Sequence, residues 1–285
     1  MPTVLTVGSL HYDIMVEATH LPRRDETAVG TRWYPKFGGK GGNQAVAVAK
    51  AGVASRLFGA VGDDDFGQFL RAHLRAGGVD DAFVATLPTP SGMSVAIMDT
   101  AGDYAATIVS GANLAIDPAG LAHDALWHDV GLLILQNEVT DTLNLAAATA
   151  ARARGIRTLL NAAPARTLPA ALIPLIDILV VNAVEAEMMG TAPISCLASA
   201  AMAAQRLATQ FETVIVTAGS LGLAAFGADN VQITLPAEKV QVISSHGAGD
   251  AFIGTLAAQL VQGADLATAA RAASHAAALH VAGKA

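Results

Sequence analysis

The sequence predicts an α/β protein built on a mostly parallel sheet with helices on both faces. Three observations carry that prediction. Short β-branched runs recur, helix-period Ala/Leu stretches separate them, and 53% of the 285 residues are hydrophobic against 14% charged, enough to bury a large core. The runs are TVLTVG (3–8), RLFGAVG (56–62), GLLILQ (131–136), IRTLL (156–160), DILVVN (177–182) and TVIVTAG (213–219). Strands apolar on both faces need cover on two sides, and helical segments near 41–52, 66–76, 141–154 and 197–210 supply it.

Two stretches break this rhythm. Residues 11–38 and 92–109 alternate polar and apolar positions, and the second closes as a hairpin around Thr100–Asp103. They predict a small exposed sheet. Open α/β sheets bind ligands beyond the carboxyl ends of their strands, so these inserts are a candidate lid on a single domain spanning 1–285. After residue 219, LGLAAFG, NVQITL and KVQVIS predict an antiparallel meander at one sheet edge. The chain then enters SSHGAGDAFIG (244–254), a glycine loop opening a helix that runs to Gly263, with Asp250 in its first turn. The alanine-rich segment ATAARAASHAAALHVA reads as a core-packing helix.

Composition excludes several functions. A net charge of −7 with scattered Lys and Arg leaves no basic face for polynucleotide. Apolar runs fall short of the roughly 20 residues that span a bilayer, and MPTVLTVGSL lacks the basic start of a signal peptide. The expectation is a soluble cytoplasmic protein with neither nucleic-acid nor membrane partner. Cys196 is the only cysteine, which precludes an intramolecular disulfide and reads as a buried or idle thiol. His123/His128 and His275/His280 are five apart, off the spacing that would place two zinc ligands on one helical face. GDDDFG (62–67) reads as the N-cap of the helix FGQFLRAHL.

Three segments carry chemistry. Gly247 and Gly249 make room and leave amide donors at a helix N-terminus, the physics of an anion site. FGGKGGNQAVAVAKAG (37–52) is a second glycine loop running into a helix. It is not a Walker A loop, which would need Gly at 34 and Ser or Thr at 41; nor is it a dinucleotide fingerprint, whose third glycine would fall at Gln44. Close approach to a small polar ligand remains, with Lys40 and Asn43 as donors. In GSLHYD (8–13), His11 and Asp13 share a strand face, and Asp13 can accept two vicinal hydroxyls.

GGKGGNQAVA, GDDDFG, LQNE, NAAPA, NAVEAE, TAGSLG and SSHGAGDAFIG occur in the order and approximate spacing of the ribokinase-like (PfkB) carbohydrate kinases, and the resemblance runs from residue 3 to the end of the chain. It implies a three-layer sandwich with a small β-sheet lid, and transfer of the γ-phosphoryl group of ATP to the primary hydroxyl of a pentose, D-ribose first. By resemblance Asp250 is the catalytic base, with Gly247, Ala248 and Gly249 as anion hole. His11, Asp13, Gly39, Lys40, Asn43 and Glu138 match sugar-contacting positions. Asn182 and Glu185 match the N-x-x-E pattern that organises Mg²⁺ through its waters. Thr217, Gly219, Gly222 and His275 match nucleotide contacts. Three departures stand out. His11 replaces the usual Asn; His246 stands where Thr or an apolar residue is usual; and Ser244 and Ser245 replace an Asp-Thr pair, which removes the acidic ligand of the family's activating K⁺ near Ser244 and His246. The resemblance also implies a homodimer joined through the lid. A nucleoside kinase of adenosine or pseudouridine type, and a non-catalytic sugar-binding protein of the same fold, are the rival readings.

Overall fold

The computed structural model describes residues 2–101 and 103–284. In chain order the elements are β1 (Thr3–Val7), β2 (His11–Ala18), β3 (Gly30–Gly38), α1 (Lys40–Lys50), β4 (Ala54–Gly62), α2 (Asp65–Ala76) and β5 (Val79–Leu87). There follow β6 (Met93–Met98), β7 (Tyr104–Val109), β8 (Val130–Gln136), α3 (Asp141–Ala153), β9 (Arg157–Asn161), β10 (Ile178–Asn182), α4 (Ala183–Met188) and α5 (Leu197–Leu207). The last are β11 (Thr213–Thr217), β12 (Gly222–Phe226), β13 (Gln232–Pro236), α6 (Ala248–Val261) and α7 (Leu266–Val281).

The large sheet runs β13-β12-β11-β10-β9-β8-β1-β4-β5, parallel except for β12 and β13. Alternation along the strands divides the core between its faces. Leu5, Leu133 and Val181 point toward α3 and α5, whereas Val4, Ile134 and Val180 point toward α6 and α7. The result is the three-layer sandwich that the doubly apolar runs predict. From β1 the chain winds outward to β4 and β5, then restarts at β8 on the other side. Adjacent strands β1 and β8 thus mark the switch point where loops diverge and leave a crevice.

The second sheet has the order β3-β2-β6-β7 and coincides with the two alternating inserts. The predicted hairpin is β6–β7, closed by the Asp99 amide donating to the Asp103 carbonyl (3.0 Å); its Gly102 lies outside the described residues. Tyr12 stacks on Phe66 of α2 (ring centroids 4.0 Å apart), which seats this sheet on the larger body. Asp64 caps α2 as expected, accepting from the Gly67 amide at 2.7 Å.

Two expectations need correction and one strand was not foreseen. KVQVIS forms no strand: the Ile243 amide donates instead to the Val281 carbonyl at the end of α7, and Val242 and Ile243 stay exposed. An unforeseen strand, β5, pairs with β4 at the opposite edge; its opening VDD hides the apolar alternation that VDDAFVATL resumes. Cys196 is exposed, which removes the buried alternative of its reading; its Sγ accepts from the Ser199 amide at 3.5 Å at the N-terminus of α5.

Candidate active site

Residue by residue, the crevice is assembled from loops at the carboxyl ends of the parallel strands. Helix α6 begins at Gly247, whose φ of 85° is a left-handed conformation suited to glycine. A Cβ at Gly247 would lie 3.0 Å from the His280 ring, whose Nε2 is 2.9 Å from the His246 carbonyl oxygen; a Cβ at Gly249 would meet nothing within 4 Å. The Ala248 amide donates to the Ser245 carbonyl (3.3 Å), while the Gly247, Gly249 and Asp250 amides have no protein acceptor among the described residues. The amides of the expected glycine pair are therefore open, and that of Asp250 joins them.

Asp250 follows, buried. Its Oδ2 accepts from Asn43 Nδ2 at 3.1 Å and its Oδ1 from Gln44 Nε2 at 3.0 Å. Burial pushes the carboxyl up from its ordinary range, against the Lys40 charge and the two amide donors, and the Glu138 charge adds to the rise.

Helix α1 brings Lys40, Asn43 and Gln44 together because its N-terminus presses onto the loop after β1. At Gly39 (φ 86°) a Cβ would sit 2.7 Å from Leu10 Cα, and at Gly41 2.5 Å from the Ser9 nitrogen. These two glycines thus answer to the protein's own packing as well as to any ligand. Glu138, from the loop after β8, caps this junction: Oε2 accepts from Ser9 Oγ (2.5 Å) and from the Lys40 amide (2.8 Å). His11 Nδ1 lies 3.8 Å from the same oxygen, and its buried Nε2 has no partner.

Asp13 enters from the small sheet. Strand register aligns Lys36, Asp13, Ser94 and Ile108 in one row on one face. Ser94 Oγ donates to Asp13 Oδ1 at 2.5 Å. Burial lowers the Lys36 pKa, and Asp13 opposes that effect. Buried Asn113 fixes the entry to β2 by bonding both the amide and the carbonyl of Leu10 (2.9 and 2.8 Å).

The remaining predicted residues lie along the next strand ends. Asn182 and Glu185 form a reciprocal capping box at α4, each backbone amide donating to the other's side chain at 2.8 Å. Burial pushes the Glu185 carboxyl up, and the Asn182 amide and the Lys40 charge pull it back. Lys40 therefore lies within electrostatic reach of both Asp250 and Glu185. Thr217 ends β11, with Oγ1 3.4 Å from the Val181 carbonyl oxygen. Gly222 (φ 114°) closes a tight turn, its carbonyl accepting from Ala218 at 2.7 Å, whereas a Cβ on Gly219 would meet open space. His275 is exposed and pairs with Glu238 at 3.0 Å, and among the described residues it forms no hydrogen bond with the other predicted site residues. Ser244 and His246 lie in an exposed loop where the Ser244 hydroxyl already accepts from the His246 amide at 3.3 Å.

Comparison with known proteins matches residues 1–284 to the pfkB family of carbohydrate kinases. The chain belongs to that family. It is similar to mouse (Mus musculus) ribokinase, 32% identical over 259 residues covering 89% of this chain and 80% of that one. It is also similar to the deoxyribokinase of Salmonella typhi, 31% identical over 287 residues covering 99% and 93% of the respective chains. The structure of Arabidopsis thaliana ribokinase complexed with ribose and ATP superposes with a TM-score of 0.90 at 29% identity, covering 98% of this chain and 92% of that one. As a pfkB family carbohydrate kinase, the chain is a phosphotransferase with an alcohol group as acceptor.

Four further residues accompany the predicted ones. Gln44, Lys36, Ser9 and Ser94 touch or face the predicted residues. Gln44 and Lys36 flank the glycine motif and offered a signal, being polar positions next to a ligand loop. Ser9 and Ser94 offered none, since their roles depend on partners 129 and 81 residues away.

Proposed function

We propose that this chain transfers the γ-phosphoryl group of ATP to the primary hydroxyl of a pentose, D-ribose first. The observation that carries the reading is Asp250: a buried carboxylate held by two amide donors, one residue beyond open helix N-terminal amides. A sugar hydroxyl is a poor nucleophile. As its oxygen bonds to the γ-phosphorus and the bond to the bridging oxygen of ADP breaks, its proton passes to Asp250. The N-terminus of α6, Gly247 to Gly249, supplies backbone dipoles to the charge on the transferring group. Asp13 and Glu138 accept hydrogen bonds from sugar hydroxyls, and Lys40 and Asn43 donate.

Asn182 and Glu185 suit an indirect Mg²⁺ site. Glu185 uses Oε2 for its cap and leaves Oε1 without a protein donor among the described residues, which fits a water of the ion's shell. The bound ion would neutralise phosphate charge. A K⁺ site fits poorly at Ser244 and His246, where the loop 244–249 carries no carboxylate. Thr217, Gly219 and Gly222 are assigned to the nucleotide side, His275 to its periphery, and the small sheet to the lid.

The equal resemblance to a deoxyribokinase favours 2-deoxyribose as a second reading. The test is ADP release from Mg²⁺-ATP over ribose, 2-deoxyribose, hexoses and nucleosides, with and without K⁺, beside Asp250→Asn. Turnover on ribose that collapses in the variant supports the proposal. Preference for a nucleoside, or binding without turnover, would replace it with the corresponding rival.

A further inference from the structure

Gln44 is fully buried and lies on the turn of α1 that faces α6. The two helices meet closely because Gly254 has no side chain there: a Cβ would lie 2.4 Å from that of Ala47 and 2.8 Å from the Gln44 carbonyl oxygen. At this approach one amide nitrogen serves two acceptors. Gln44 Nε2 donates to Asp250 Oδ1 (3.0 Å) and to Asn161 Oδ1 (3.1 Å), and Asn161 Nδ2 reaches the Val180 carbonyl oxygen at 3.4 Å. Both Nε2 hydrogens are thereby used. The opposite amide orientation would set Oε1 against two oxygens, so the partners themselves fix which atom faces the carboxylate. Gln44 Oε1 is left buried without a partner, a cost the protein bears in holding this orientation.

We propose that Gln44 is the positioning residue for Asp250, tying its Oδ1 to the end of β9 through Asn161 so that Oδ2 faces the acceptor hydroxyl. Asn43, also bonded to Oδ2, lies at the glycine-loop end of α1 beside the sugar positions, so its bond is the one an entering hydroxyl can exchange with. Gln44 lies deeper and stays bound throughout. It holds the carboxylate plane and, as a donor to the ionised form, opposes the rise in pKa that burial causes. The inference rests on the reading of Asp250 as base.

The experiment compares parent, Gln44→Met, Asn161→Ala and Asp250→Asn by steady-state kinetics across pH, with thermal melts for folding. Methionine keeps the volume and removes both donors. The expected result for Gln44→Met is a kcat roughly 10–100-fold lower, a sugar KM within about threefold of the parent, and an acid limb of the kcat profile moved to higher pH by about one unit, which corresponds to tenfold in proton affinity. Asn161→Ala moves the same limb in the same direction by less, and decides the matter should Gln44→Met fail to fold. An unchanged acid limb in the folded variants, whatever happens to kcat, overturns the proposal and leaves Gln44 a packing residue. Full activity in Asp250→Asn would instead overturn the base assignment itself.

Discussion

At the scale of single residues, function and stability pull in opposite directions at Asp250. Its folded pKa is raised, so between the ordinary value of 3.8 and that raised value the folded state holds more protons than the unfolded one. Its contribution to stability therefore falls as pH rises through this window, and the full penalty of a buried charge is present above the raised value. Asp250→Asn is expected to lose about 10²–10⁴ in kcat, the usual contribution of a general base, while its melting temperature at pH 8 equals or exceeds the parent's. A variant that is both slower and clearly less stable would point to a structural role. The glycines separate the same way. Gly39→Ala puts a Cβ against Leu10 and His11 in a strained backbone, at about 1–3 kcal/mol for the conformation and about 1–3 for the overlap. Gly249→Ala meets open space, so stability should stay within about 1 kcal/mol. Its kcat should fall at least tenfold if a phosphoryl oxygen approaches that amide. Melts and kinetics on this pair distinguish packing glycines from ligand glycines. The sequence motifs made Asp250, Asn43 and Lys40 legible because each stands in a glycine context. Gln44 offered the signal of a polar residue beside the glycine loop but in sequence reads only as the place of an absent third glycine; its contact with Asp250 spans 206 residues.

At the scale of elements, GDDDFG does more than start a helix. Asp64 caps α2 and also accepts from the Ser91 amide (2.9 Å) and hydroxyl (2.7 Å), so it ties the body of the protein to the residue that leads into β6. Burial pushes its carboxyl up, but the Ser91 bonds and the amides of Gly67 and Phe66 outweigh that and leave it below its usual value. A depressed folded pKa contributes stability that is present above the unfolded value of 3.8 and lost as pH falls through the folded one. Asp64→Asn keeps a capping oxygen and removes the charge. It should melt lower than the parent at pH 7, and the gap should narrow as pH falls below 3.8; a gap independent of pH would show that charge is irrelevant there. The parallel strands were legible because burial on two sides leaves near-continuous apolar runs. Edges were not. At β5 only Val79, Asp81 and Val84 are buried, and at 239–244 a β-branched run of good strand propensity finds its hydrogen-bond partner on α7 instead of β13. Propensity cannot tell those outcomes apart, because the available partner decides.

At the scale of the whole molecule, the small sheet ends in an edge strand whose outer side no other strand pairs with among the described residues. Strand β7 is an edge strand with every residue exposed, including Tyr104 at 71% and Ile108 at 59%. Register places Ile108 in the row of Asp13 and Tyr104 in the row of Glu17 and Met98, all on the face that carries Asp13. An unpaired edge bearing an apolar face next to a ligand site invites pairing unless it is covered. A second copy of the chain is the cover that closed two-fold symmetry supplies, since the same patch then buries itself on both subunits. We infer a homodimer through this sheet, in which each lid is steadied over its site by its partner. Sedimentation at assay concentration should give twice the 28.9 kDa chain mass. Ile108→Glu should shift the protein to monomer, because each subunit of a symmetric pair would bury an unpaired carboxylate. Ile108 neighbours Ser94, which holds Asp13, so a lid loosened by dissociation should weaken sugar binding at least tenfold in KM while kcat at saturating sugar changes less. A monomeric parent with unimpaired turnover would remove the dimer and leave the lid to close alone. A dimer unmoved by Ile108→Glu would place the contact elsewhere on the molecule.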